Sequence, residues 1–145
     1  MDISKTDGLT NIISEYISRI DETDIPTEVF EHAKIGFLDW LGCVIGGHNQ
    51  PIVEKILKYT KMLGGYEQSS IIFSKQKVNI NHAACINGSA AHVLGYDDTS
   101  TIYIGHPSAV IFPGLLSLAE YKESSGLNFL IAYIVAFKSA AVVGS

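Results

Sequence analysis

Residues 80–121 read INHAACINGSAAHVLGYDDTSTIYIGHPSAVIFPGLLSLAEY, and they decide the fold class. Over residues 80–94, Ala83, Ala84, Gly88, Ser89, Ala90 and Ala91 form a helix of small side chains that a neighbouring helix can approach closely, with Asn79 or Asn81 as its cap. Gly95 breaks it. The polar loop GYDDTSTIYIGH fills residues 95–106, and Pro107-Ser108 then opens an apolar helix reaching about Tyr121. A helix, a polar loop and a second helix without strand alternation predict an all-α unit.

The flanking sequence extends the pattern. Leu9, Ile12, Ile13, Tyr16, Ile17 and Ile20 share one face of an amphipathic helix. A second helix starts near Pro26, carries Val29, Ala33, Phe37, Trp40, Leu41 and Val44 on a wide apolar face, and stops at Gly46-Gly47. A third runs from about Pro51 to Leu63, stopped by Gly64-Gly65. Ser69 to Lys75 is the one plausible extended segment, and the final helix follows Ser124-Ser125-Gly126. With no repeat or Pro-rich linker, residues 1–145 read as one all-helical unit.

Of the 145 residues, 47% are hydrophobic and 17% charged, which excludes a disordered tail and supplies a sizeable core. The net charge of -5, with no basic cluster denser than Lys55, Lys58 and Lys61, argues against nucleic acid. Leu127 to Val143 is short for a membrane span and contains Asn128 and Lys138, so a buried helix is expected and no membrane partner. Cys43 and Cys85 lie in apolar helical patterns without CxxC spacing, as buried thiols of a reducing compartment would. The opening MDISKTDGLT has neither a basic n-region nor an apolar h-region, so a cytoplasmic location is expected. No Lys or Arg falls between Lys77 and Lys122, and residues 100–145 hold only Glu120, Lys122, Glu123 and Lys138 as charges. Helices this apolar are expected to be covered, as in the N-terminal part of a larger, homodimeric protein.

The chemistry-bearing cluster is Tyr96, Asp97, Asp98, Thr99, Ser100 and Thr101, followed by His106, Pro107 and Ser108. Adjacent carboxylates diverge, so one of Asp97 and Asp98 can face a ligand while the other braces the backbone. His106 stands beside a helix start, where an imidazole can hold or move a proton, and Ser108 is of a type that caps helices. His92, Asp97, Asp98 and His106 are metal-ligand types, but no HxxxH, HExxH or CxxC spacing is present, so no metal site is expected. A GxSxG elbow is absent, and neither cysteine has a polar setting.

Three segments together resemble the MmgE/PrpD family: IPTEVFEHAKIGFLDWLGCVIGG at 25–47, NHAACINGSAAHVLGYDDT at 81–99 and HPSAVIFPGLLSLAEYKESSG at 106–126. Members include 2-methylcitrate dehydratase, cis-aconitate decarboxylase and iminodisuccinate epimerase. The resemblance implies the first part of a large helical domain, joined in a longer chain to a smaller α+β domain. It implies a lyase acting without a cofactor on small di- or tricarboxylates, by proton transfer next to a carboxylate. Position by position, it implies Asp97 and His106 as catalytic residues and Asp98, Thr99 and Ser108 as substrate contacts. Gly95 stands where members often carry Asp, and Lys138 and Val143 where an acidic and a basic residue are common. The cations a polycarboxylate requires would come from sequence beyond residue 145, leaving this chain alone inactive. The other readings are an epimerase of the same family and a non-catalytic helical remnant or oligomerisation module.

Overall fold

The computed structural model describes residues 8–102 and 104–144, apart from the Leu9 side chain; the expectations touching the first seven residues, that side chain, Tyr103 and Ser145 lie outside the described residues. Six helices and a two-stranded hairpin follow in order: α1 (Leu9–Arg19), α2 (Thr27–Gly47), α3 (Pro51–Leu63), β1 (Ser69–Ser70), β2 (Lys77–Val78), α4 (Ile80–His92), α5 (Pro107–Lys122) and α6 (Gly126–Gly144). The all-α expectation holds.

Helix α4 lies at the centre, against α2 on one side and α5 on the other, with α3 also touching it. Asn79 caps it, its side chain accepting from the His82 N–H at 2.9 Å. Small residues let it come close: a Cβ built on Gly47 of α2 would run into the Ala90 carbonyl and lie 2.6 Å from the Val93 side chain. On the other side a Cβ on Gly88 would lie 3.2 Å from Pro113 and 3.3 Å from the Ala109 carbonyl of α5. An aromatic cluster closes the remaining core. Phe112 stacks on Tyr133 at 3.8 Å between ring centroids, and Phe37, Trp40 and Phe129 surround it at 5.2, 5.7 and 5.8 Å.

The expected extended segment is shorter than Ser69 to Lys75. Only Ser69 and Ser70 pair, antiparallel with Val78 and Lys77, and the chain between turns back through an Ile71 N–H to Gln76 carbonyl bond of 3.1 Å. Side chains from the helices take the backbone groups a longer strand would have used. Asn87 of α4 accepts from the Ile72 N–H at 3.1 Å and donates to the Ser70 carbonyl at 3.0 Å. Glu120 of α5 accepts from the Ser70 N–H and hydroxyl, both at 2.6 Å.

Three other expectations are corrected. Helix α4 ends at His92 rather than Leu94, because Gly95 turns the chain there with a φ of +65°. Cys85 is exposed and Cys43 only half-buried, since the packed faces of their helices are filled by Ala83, Ile86 and Ala90 on α4 and by Trp40 and Val44 on α2. The last helix is not buried: only Tyr133 and Val135 of α6 are, because its main helix contacts among the described residues are to α5 and α2. Among the described residues α6 is the one helix long and apolar enough to cross a membrane. Helix α2 shares this exposure, leaving Ile35, Leu38 and Ile45 in solvent.

Replacing Gly47 with Ala is expected to destabilise the chain by about 1–3 kcal/mol through overpacking. The check is the denaturant midpoint; an unchanged value would mean that α2 and α4 can part freely.

Candidate active site

The polar residues of the 95–106 loop gather beneath the C-terminus of α4. The Gly95 N–H bonds the His92 carbonyl at 3.0 Å, and its left-handed φ folds the chain back under the helix end. Asp97 thereby comes to lie beneath His92, with its carboxylate fully buried. His92 Nδ1 is 3.0 Å from Asp97 Oδ2 and 3.3 Å from Oδ1. From the other end of the loop, His106 Nδ1 reaches to 3.2 Å from the same Oδ2 and 3.3 Å from the Asp97 backbone carbonyl. The two rings meet edge to face with centroids 4.7 Å apart.

The partners decide where the ring hydrogens sit. A carbonyl oxygen only accepts, so His106 Nδ1 carries the hydrogen and donates it; an ionised carboxylate imposes the same on His92. In their neutral forms both imidazoles then keep Nε2 as a free base, and once protonated each becomes an acid held beside an anion. Among the described residues the ion partners of Asp97 are these two imidazoles. A buried carboxylate needs such compensation, because an uncompensated buried ion costs several kcal/mol.

Asp98 turns the opposite way. Its Oδ1 accepts from the Ser108 N–H at 3.0 Å and its Oδ2 from the Ser108 hydroxyl at 2.7 Å, so it satisfies the first turn of α5 from outside the helix. The buried Ser108 hydroxyl also lies 3.0 Å from the Tyr133 hydroxyl of α6. Beside this chain is a cavity of about 360 Å³ whose walls include Gly36, Asp98, Tyr133 and Phe137, with His32 and Lys138 also on its lining. The Lys138 ammonium sits 4.9 Å from the centroid of the Tyr16 ring of α1. Thr99 is exposed. A bridge between Ser100 and Gly105, with N–H to carbonyl distances of 2.8 and 3.3 Å, pinches off the loop tip, where Ile104 is exposed with a φ of 45°.

Cys43 of α2 feels this cluster. Burial raises its thiol pKa above the ordinary value, and the negative charges of Asp39, Asp97 and Asp98 raise it further.

The structure brings Asp97 and His106 together, pairs Asp98 with Ser108, and leaves Thr99 apart in solvent. It adds His92, which the sequence reading weighed only as a metal-ligand type. The available signal was a histidine in the last turn of a helix, followed by a glycine turn and an acid, an arrangement that returns the acid under the helix end. Spacing motifs missed that one donor atom each from His92, Asp97 and His106 fall within 4.8 Å of one another.

Residues 11–145 match the model of the MmgE/PrpD N-terminal domain. The chain is 28% identical to a cis-aconitate decarboxylase-like protein, oryM, of Aspergillus oryzae, over 95% of this chain and 30% of that protein. It is 27% identical to the cis-aconitate decarboxylase of Aspergillus terreus, over 99% of this chain and 30% of the relative. With the human cis-aconitate decarboxylase it shares 29% identity over 88% of this chain and 27% of the relative. The chain thus spans less than a third of the length of these curated relatives.

Two outcomes are expected from this geometry. Asp98→Ala, which strips the Ser108 N–H and hydroxyl of their acceptor, should cost about 1–3 kcal/mol, and Thr99→Ala should stay within about 0.5 kcal/mol, both read by thermal unfolding. A brief exposure to a thiol reagent near neutral pH should label Cys85 ahead of Cys43, as mapped by peptide mass, because the Cys43 thiolate is disfavoured and its sulfur half-covered.

Proposed function

The chain belongs to the MmgE/PrpD family, and from that membership we propose that it is the site-bearing N-terminal portion of a lyase acting on a small di- or tricarboxylate. The observation that carries the reading is the pair of imidazoles held on one buried carboxylate, His92 and His106 on Asp97. Loss of carbon dioxide from an unsaturated tricarboxylate breaks a carbon–carbon bond, leaves its electron pair on the conjugated carbons, and needs an acid to protonate carbon. Elimination of water needs a base for the proton beside a carboxylate and an acid for the departing hydroxyl. Two imidazoles with Nε2 free serve either sequence: the neutral ring takes a proton and the protonated ring gives one. Asp97 keeps both rings oriented through their Nδ1 contacts.

The names of the relatives favour decarboxylation over dehydration, and cis-aconitate is the substrate to try first. In this reading His106 is the proton donor, with His92 as the second proton-transfer group and Thr99 at the exposed rim as a substrate contact. Asp98 acts on the substrate through the cavity it shares with Tyr133, where Lys138 is the available cation, and the buried Ser108 hydroxyl supports both residues from behind. The triad itself has no Lys or Arg in the surrounding sequence from Val78 to Tyr121, so binding of a tricarboxylate calls for cations from elsewhere in the protein. The exposed faces of α2 and α6 support assembly with further protein, a homodimer included.

On this reading the 145-residue chain by itself turns over neither cis-aconitate nor 2-methylcitrate. In a full-length protein carrying this sequence, His106→Ala should reduce turnover of the accepted substrate by roughly 100- to 10,000-fold, the range of a lost general acid. Undiminished turnover in that variant would remove His106 from the chemistry.

A further inference from the structure

We propose that His92, Asp97 and His106 also form a binding site for a divalent first-row transition-metal ion of the zinc type. Ligands around a four-coordinate zinc at about 2.0–2.1 Å stand roughly 3.3 Å from one another. In this chain His92 Nδ1 and His106 Nδ1 stand 3.0 and 3.2 Å from Asp97 Oδ2, and one donor atom of each residue lies within 4.8 Å of the other two. Two of the three donor separations therefore already match ligand spacing, and the third lies within 4.8 Å, to be closed on an ion by side-chain adjustment.

The donor chemistry selects the class of metal. Two imidazoles and one carboxylate suit zinc, cobalt, nickel or copper, whereas magnesium and calcium favour all-oxygen shells. Charge points the same way. The Asp97 carboxylate is wholly buried, and its ion partners among the described residues are groups that carry charge only when protonated. A cation between the three would compensate it at every pH where the ring nitrogens are free.

Access is open, because the His92 side chain is 58% exposed and that of His106 33% exposed. Three protein ligands leave a fourth position for water or a ligand oxygen on that side. Binding through Nδ1 moves each neutral ring's hydrogen to Nε2 and releases no proton; a protonated ring gives one up. Metal and a shared proton are thus alternative occupants of the same triad, and the inference uses that triad without depending on the lyase reading.

The test is metal uptake by the purified chain in the absence of substrate. Equilibrium dialysis against zinc with elemental analysis is expected to show a single equivalent, removable by a chelator. Cobalt in its place should give the intense visible absorption of a four-coordinate nitrogen and oxygen site. His92→Ala, at an exposed position, should retain the helical circular dichroism of the parent while losing at least ~10-fold in affinity. Asp97→Asn should lose as much, and His48→Ala, just past the C-terminal end of α2 and outside the triad, should lose nothing. Absence of uptake, or uptake undiminished in folded His92→Ala, would overturn the site. Since no turnover is read, neither result bears on whether the full-length protein is a lyase.

Discussion

The close approach of α4 to both α2 and α5 is the constraint on which the rest depends. It is set by backbone, not by large side chains: Gly47 gives way to the Ala90 carbonyl, and Gly88 admits the Ala109 carbonyl and the Pro113 ring. Such contacts have little room to slide, because every adjustment meets main-chain atoms. They hold the C-terminal end of α4 over the start of α5. His92 at one and His106 at the other are thereby placed on either side of the residue between them, Asp97.

That residue is one of two neighbouring carboxylates with opposite tasks. Asp97 turns inward to hold imidazoles, and Asp98 turns toward α5 to hold a helix end. The division is economical in sequence, since a single loop both builds the site and anchors the helix beneath it. It also means that a perturbation of Ser108 or Tyr133 is felt one residue away, through the backbone that the Asp97 carbonyl shares with the His106 hydrogen bond.

Much of the fold was legible. Apolar spacing located the first three helices, and small residues, an Asn cap, Pro107-Ser108 and Ser124-Ser125-Gly126 the other three, with Gly46-Gly47, Gly64 and Gly95 marking where three of the six stop or turn. The hairpin was half-legible, because its strands are limited by Asn87 and Glu120, partners distant in sequence that no local pattern names. The exposure of α6 was not legible: hydropathy reports that a helix wants cover, and only three-dimensional neighbours decide whether it receives any. At the site, Asp97 and His106 could be singled out because polar residues between two apolar helices stand out. His92 was hidden in the last turn of α4, where a histidine reads as an ordinary end of a helix until the turn at Gly95 brings the acid back to it.

The bridge between Ser100 and Gly105 carries a consequence for how this loop can change over evolution. It ties the two stems together by main-chain bonds, so the tip between them projects outward while the stems stay in register. Residues can be gained or lost in the tip, and even an isoleucine in a left-handed conformation tolerated there, without altering the path from Asp97 to His106. Divergence in length is thereby confined to a knob on the surface, a place where related proteins can acquire new contacts while the paired imidazoles stay where they are.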